Sequence, residues 1–107
     1  MALAVVFVGS MAIAEDKEAL LTTGTLMTQC AADRSWCIKA IRNSQLDERV
    51  MDAPLNRKRY CPPTDGWDDD RRARAVLDWL SQHPQPPDTP ASDSILAAEI
   101  DLWPCRG

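Results

Sequence analysis

The chain is poor in residues that do chemistry. It has one histidine, His83, and four cysteines, none of them within C-x2-C distance of another. A zinc site needs close Cys or His pairs, so no metal is expected. No HExxH, no GxSxG and no glycine-rich phosphate loop occurs, which leaves the common hydrolase and nucleotide chemistries without their parts. No cofactor and no catalytic residue is expected. Basic residues are outnumbered: Lys and Arg total 12, Asp and Glu 16, for a net charge of −4. Arg71, Arg72 and Arg74 are offset by Asp68, Asp69 and Asp70 beside them. A chain without a basic patch is a poor nucleic-acid binder. No apolar run approaches the roughly 20 residues of a membrane span. No window alternates apolar and polar residues between turn residues, so strands are not expected. There is no repeat, and only Pro84–Pro90 is low in complexity.

What is present begins at the start. Residues 1–14 carry no charge, with an apolar core Leu3–Val8 and a small-x-small site at Ala12-Ile13-Ala14. This reads as a cleaved export segment, although no Lys or Arg precedes its core. The expected division is a signal peptide at 1–14 and one helical domain at 15–107. After cleavage no membrane attachment is expected. An even number of cysteines behind an export segment reads as a disulfide framework: Cys30, Cys37, Cys61 and Cys105. Bonded cysteines are also unavailable as nucleophiles.

Four helical segments follow. The first spans about 23–30, with Thr23 as its N-cap and Leu26, Met27 and Cys30 on one face. The second starts near Asp33 or Ser35, carries Cys37, Ala40, Ile41 and Ser44 on one side, and reaches about Met51. Its far half, 45–50, is polar and is expected to project from the core. A loop with Pro54, Pro62, Pro63 and Gly66 forbids regular structure before the third helix. That helix begins at Asp68–Asp70, where carboxylates favour an N-terminus. Ala73, Val76, Leu77 and Leu80 recur at helical spacing. His83 stands in its last turn, placed as a C-terminal cation rather than a base, and Pro84 ends it. The fourth helix takes Thr89 as N-cap and Pro90 as its first residue, and runs to about Trp103. It is apolar on two stripes: Ile95, Ala98 and Leu102, then Leu96, Ile100 and Trp103. Either it sits centrally, or the second stripe meets a partner chain, which leaves a homodimer open. The expected fold is all-α, a small four-helix domain stapled by two disulfides.

Geometry orders the pairings. On one unbroken helix Cys30 and Cys37 would have Cα atoms about 10.5 Å apart, beyond the roughly 7 Å that a disulfide tolerates. The cap-type residues Asp33 and Ser35 allow a bend between them. Helices three and four have similar length and a short connection, so they should lie antiparallel. Cys61, before the one, then meets Cys105, after the other. Cys30–Cys37 with Cys61–Cys105 is the expected set; Cys37–Cys61 with Cys30–Cys105 is the runner-up. Trp36, Trp79 and Trp103 fall on helical segments and are expected in the core. Trp67, in a loop after Gly66, is a candidate binding anchor.

The second half of the chain carries an ordered set of motifs: Cys61-Pro62-Pro63, then Val76-Leu77-Asp78-Trp79-Leu80, then His83-Pro84, and last Trp103-Pro104-Cys105. With the two earlier cysteines, this resembles the Rap/Tai family of small periplasmic immunity proteins of bacterial type VI secretion, over roughly Leu20–Cys105. The chain departs from the family pattern after Cys37, where the usual glycines are absent. It departs again at Asp69-Asp70-Arg71, where glutamine is frequent. The resemblance implies a non-enzymatic periplasmic protein that binds and occludes a peptidoglycan amidase. The stiff loop with Gln85, Pro86, Pro87 and Asp88 is the expected contact. The alternative kept open is an HdeA-like periplasmic chaperone, which would expose apolar surface in acid.

Overall fold

The computed structural model describes residues 21–106. Within them the chain forms four α-helices and no strand: α1 (Thr23–Ala32), α2 (Arg34–Asp52), α3 (Asp69–Gln82) and α4 (Ala91–Leu102). The proposed export segment lies outside the described residues. No helix among the described residues is long and apolar enough to cross a membrane.

α1 and α2 meet at a single residue, Asp33. Its N–H donates to the Gln29 carbonyl, closing α1, and its carboxylate accepts from the Trp36 N–H, opening α2. The chain therefore turns sharply enough to bring the Cα atoms of Cys30 and Cys37 within 4.8 Å, and the two are bonded. Cys61 and Cys105 form the second disulfide, with Cα atoms 5.0 Å apart. Asp68 caps α3 by accepting from the Arg71 N–H at 2.8 Å. The core is Leu26 from α1, Cys37, Ile38 and Ile41 from α2, Ala73, Val76, Leu77 and Leu80 from α3, and Ala91, Ile95 and Ala98 from α4.

Several details differ from the sequence expectation. Thr22, not Thr23, caps α1. Thr23 is buried, and its hydroxyl is committed elsewhere: it donates to the Thr89 carbonyl at 2.9 Å and pairs with Ser94 Oγ at 2.6 Å. Thr89 does not cap α4, because that carbonyl and its neighbours are engaged by α1; Pro90 occupies the cap position without a side-chain bond. The polar half of α2 does not project freely, since Gln45 and Asp52 are buried. Trp36 is exposed, not core. On α4 the second stripe is split: Trp103 is buried, Leu96 is half-buried and Ile100 is exposed.

Candidate partner-binding site

The α3–α4 loop is held in one shape. His83 closes α3, its N–H and Nδ1 both donating to the Trp79 carbonyl at 2.9 Å, with its ring stacked on Trp79 at 4.2 Å. Trp79 Nε1 donates to Asp101 on α4 at 2.7 Å. Pro84, Pro86, Pro87 and Pro90 fix four φ angles in seven residues. Gln85 Nε2 donates back to the His83 carbonyl at 2.8 Å, and the Thr89 N–H donates to the Pro86 carbonyl at 3.0 Å, closing a turn.

The turn is then seated on α1 by the orphan donors that every helix start carries. The N–H groups of Thr23 and Gly24 donate to the carbonyls of Thr89 and Pro87 at 2.8 and 2.9 Å. In return the Ala91 N–H donates to the Leu21 carbonyl at 2.9 Å. Gly24 permits this approach: a Cβ there would lie 2.9 Å from Pro87 Cβ and 3.0 Å from Pro87 O. Pro86, Pro87 and Asp88 remain exposed and Gln85 is half-buried. A shallow uncharged groove, lined by Thr22, Gly24, Thr25, Thr28, Gln29 and Pro87, runs beside them.

Trp67 does not belong to this site. It precedes α3, whereas the loop follows it, and 14 helical residues separate them by about 21 Å. Its ring meets Trp103 edge-on at 5.9 Å, and the Arg71 guanidinium covers its face at 4.2 Å. Trp67 is a half-buried strut beside the Cys61–Cys105 end.

That opposite end holds a polar cluster that sequence reasoning missed. Glu99 of α4 is fully buried. Gln45 Nε2 donates to its Oε2 at 3.1 Å, while its Oε1 and both carboxyl oxygens of Glu48 find no donor. The two carboxyls touch, and both are pushed above the ordinary range: Glu48 to about 9, by burial first and by the facing Glu99 second, and Glu99 chiefly by burial. One proton between the carboxyls would engage two of these three oxygens. Tyr60, in the same cluster, is raised by burial and by these acids. Asp52 behaves oppositely. Arg57 and Arg59 bond it at 2.8 and 2.9 Å and hold it below the usual carboxylate range. The carboxyl pair could resemble an acid–base dyad, but Glu99 offers no face to solvent. Among the described residues no group of His, Cys, Asp or Glu is arranged to hold a metal.

Fold and site together describe a small all-α domain stapled by two disulfides, with an exposed, proline-stiffened loop between α3 and α4. The chain belongs to the Rap1a immunity protein family, whose model matches residues 22–105. An immunity protein acts by binding a partner, the effector that it neutralises. No curated protein and no solved structure matches the chain.

Proposed function

We propose that this protein is exported to the periplasm, where it binds and occludes a peptidoglycan amidase delivered by type VI secretion, with the α3–α4 loop as the main contact. The observation that carries this is the loop itself: exposed at Pro86–Asp88, fixed by prolines, and pinned to α1 through backbone bonds. A loop already in its bound shape loses little entropy on docking. Gln85 and Asp88 supply polar contacts to a cleft. The family match supports an effector as the partner. An acid-triggered chaperone would have to loosen at low pH. The Glu48–Glu99 pair works the other way, because protonation favours its buried state.

The test replaces Gln85 and Asp88 with arginine and measures binding to peptidoglycan amidases, beginning with any encoded beside this protein's gene. Affinity is expected to fall at least tenfold with helicity unchanged. Unchanged affinity would move the interface off the loop, and no binding by the wild type would end the amidase assignment.

A further inference from the structure

The pole opposite the loop carries a second surface of different chemistry. A cavity of about 360 Å³ lies between the end of α2, the segment 57–62 and the first turn of α3. Five of the protein's 12 basic side chains line it: Arg49, Arg57, Lys58, Arg59 and Arg72. Asp52 is the only carboxylate among the described lining residues, and two of the four guanidiniums share it; Arg59 also lies 3.9 Å from Glu48. Arg49 is paired with Asp69 at 2.9 Å. Lys58 makes no ion pair among the described residues. Arg72 gives Nη2 to the Pro63 carbonyl, and its buried Nε has no acceptor. The cavity therefore keeps an excess of positive charge in a protein whose net charge is −4.

The backbone builds this arrangement. After α2 a single 3-10 turn, Ala53–Leu55, ends at Asn56 in the left-handed region (φ 49°). The reversal lets the Arg57 N–H donate to the Asp52 carbonyl at 3.2 Å and swings Arg57 and Arg59 back onto the Asp52 side chain. Three large apolar residues stand before and at the end of the same turn, and Ala53 between them lines the cavity. Val50, Met51 and Leu55 are 72%, 68% and 65% exposed. Three large apolar side chains so exposed within six residues, beside unbalanced positive charge, are unusual for a surface that meets only water.

We infer that this pole is a second protein-docking surface, which takes an acidic segment of a protein partner: a carboxylate side chain enters the cationic cavity and flanking apolar residues cover Val50, Met51 and Leu55. Charge complementarity selects the occupant. A cavity lined by guanidiniums favours a planar carboxylate, and the exposed apolar residues have no use for a free inorganic anion. The surface is about one helix length from the α3–α4 loop and stands independently of what that loop binds.

The experiment is an NMR titration of the disulfide-bonded protein with the peptide acetyl-Asp-Leu-Glu-Leu-Glu-amide, with inorganic phosphate and an acetyl-Lys-Leu-Lys-Leu-Lys-amide peptide as the other arms. The acidic peptide is expected to give saturable shifts at Val50–Tyr60 and Arg72, weakened several-fold between 50 and 300 mM salt. Lys58→Glu, at an exposed position without an ion pair, should weaken binding at least fivefold. Val50→Ser with Met51→Ser should do the same without touching a charge. The Gln85 and Asp88 variants should leave this titration unchanged. Absence of saturation with the acidic peptide would overturn the inference. So would equal binding of the basic peptide, or shifts given equally by phosphate and unaffected at Val50 and Met51, which would mark a free-anion site.

Discussion

The two ends of the α3–α4 hairpin are held by different physics. At the loop end the bonds that seat the loop on α1 are mainly between backbone groups: Thr23 and Gly24 to Thr89 and Pro87, and Ala91 to Leu21, joined by the Thr23 hydroxyl. None of these backbone groups titrates, and Asp88 is the charged residue of the loop segment 84–90. At the other end the chain is held by a disulfide and by two arginines on one aspartate, around two facing carboxyls whose burial favours their protonated form. The backbone bonds of the first are indifferent to mild changes of pH, whereas the disulfide and charged contacts of the second are expected to respond to reduction, pH and salt. A loop that must arrive at its partner preformed belongs at the first.

Breaking the disulfide should give the largest effect. The Cys61–Cys105 bridge closes a segment of sequence separation 44, and the chain-entropy model gives it about 4 kcal/mol. Replacing both cysteines by serine should lower stability by about that amount in urea unfolding. The bridge Cys30–Cys37, of separation 7, should contribute only about 2.5 kcal/mol on the same model. Equal losses would show that strain or residual structure, not loop closure, sets these terms.

At the loop end Gly24→Ala is the sharper probe. Alanine is the better helix former by about 0.8–1 kcal/mol, so propensity alone predicts a gain. The Cβ would instead meet Pro87 Cβ at 2.9 Å and Pro87 O at 3.0 Å, against a ring and a backbone that cannot swing aside. Such overpacking costs about 1–3 kcal/mol. A lower melting temperature, with partner binding weakened through a displaced loop, is expected. A stabilised variant would show that the loop is not seated on α1.

The opposite end should respond to pH. The Glu48–Glu99 pair holds a proton in the folded protein at pH values where the carboxyls of the unfolded chain have released theirs. The folded state then binds more protons, so stability falls as pH rises from the ordinary carboxylate value of 4.5 toward about 9. The melting temperature should be higher at pH 5.5 than at pH 8.5. Glu48→Gln, neutral at both, should flatten that slope and stabilise by about 1 kcal/mol at pH 8.5. A rising profile would mean that both carboxyls are ionised and otherwise paired.

Much of this fold was legible in the sequence because its determinants are local or few. Asp33 and Asp68 sit where caps belong, prolines bound the loops, and four cysteines with two antiparallel helices leave a short choice of pairings. The cap of α4 was misplaced because Thr89 looks free in one dimension, whereas its carbonyl is claimed by Thr23, 66 residues away. The polar cluster was missed for a related reason. Gln45, Glu48 and Asp52 continue the apolar stripe of Ile38 and Ile41 at three- and four-residue spacing, and Glu99 lies four residues beyond Ile95. The helical period was intact; only the polarity hid it. A polar residue on a core stripe signals a buried partner, and here two helices carry such residues toward each other.

The smallest expected effect is on stability at the loop tip. Arginine at Gln85 and Asp88 should change it by no more than about 0.5 kcal/mol, and that contrast makes the loop the place to test the central claim. The most direct measurement is amide hydrogen exchange of the protein with and without the peptidoglycan amidase proposed as its partner. The account predicts new protection at residues 22–29 and at Gln85, Asp88 and Thr89, the loop residues there that carry an N–H, together with stoichiometric loss of amidase activity that the Gln85 and Asp88 variant fails to produce. Full inhibition with no change in exchange at the loop or at the start of α1 would contradict it.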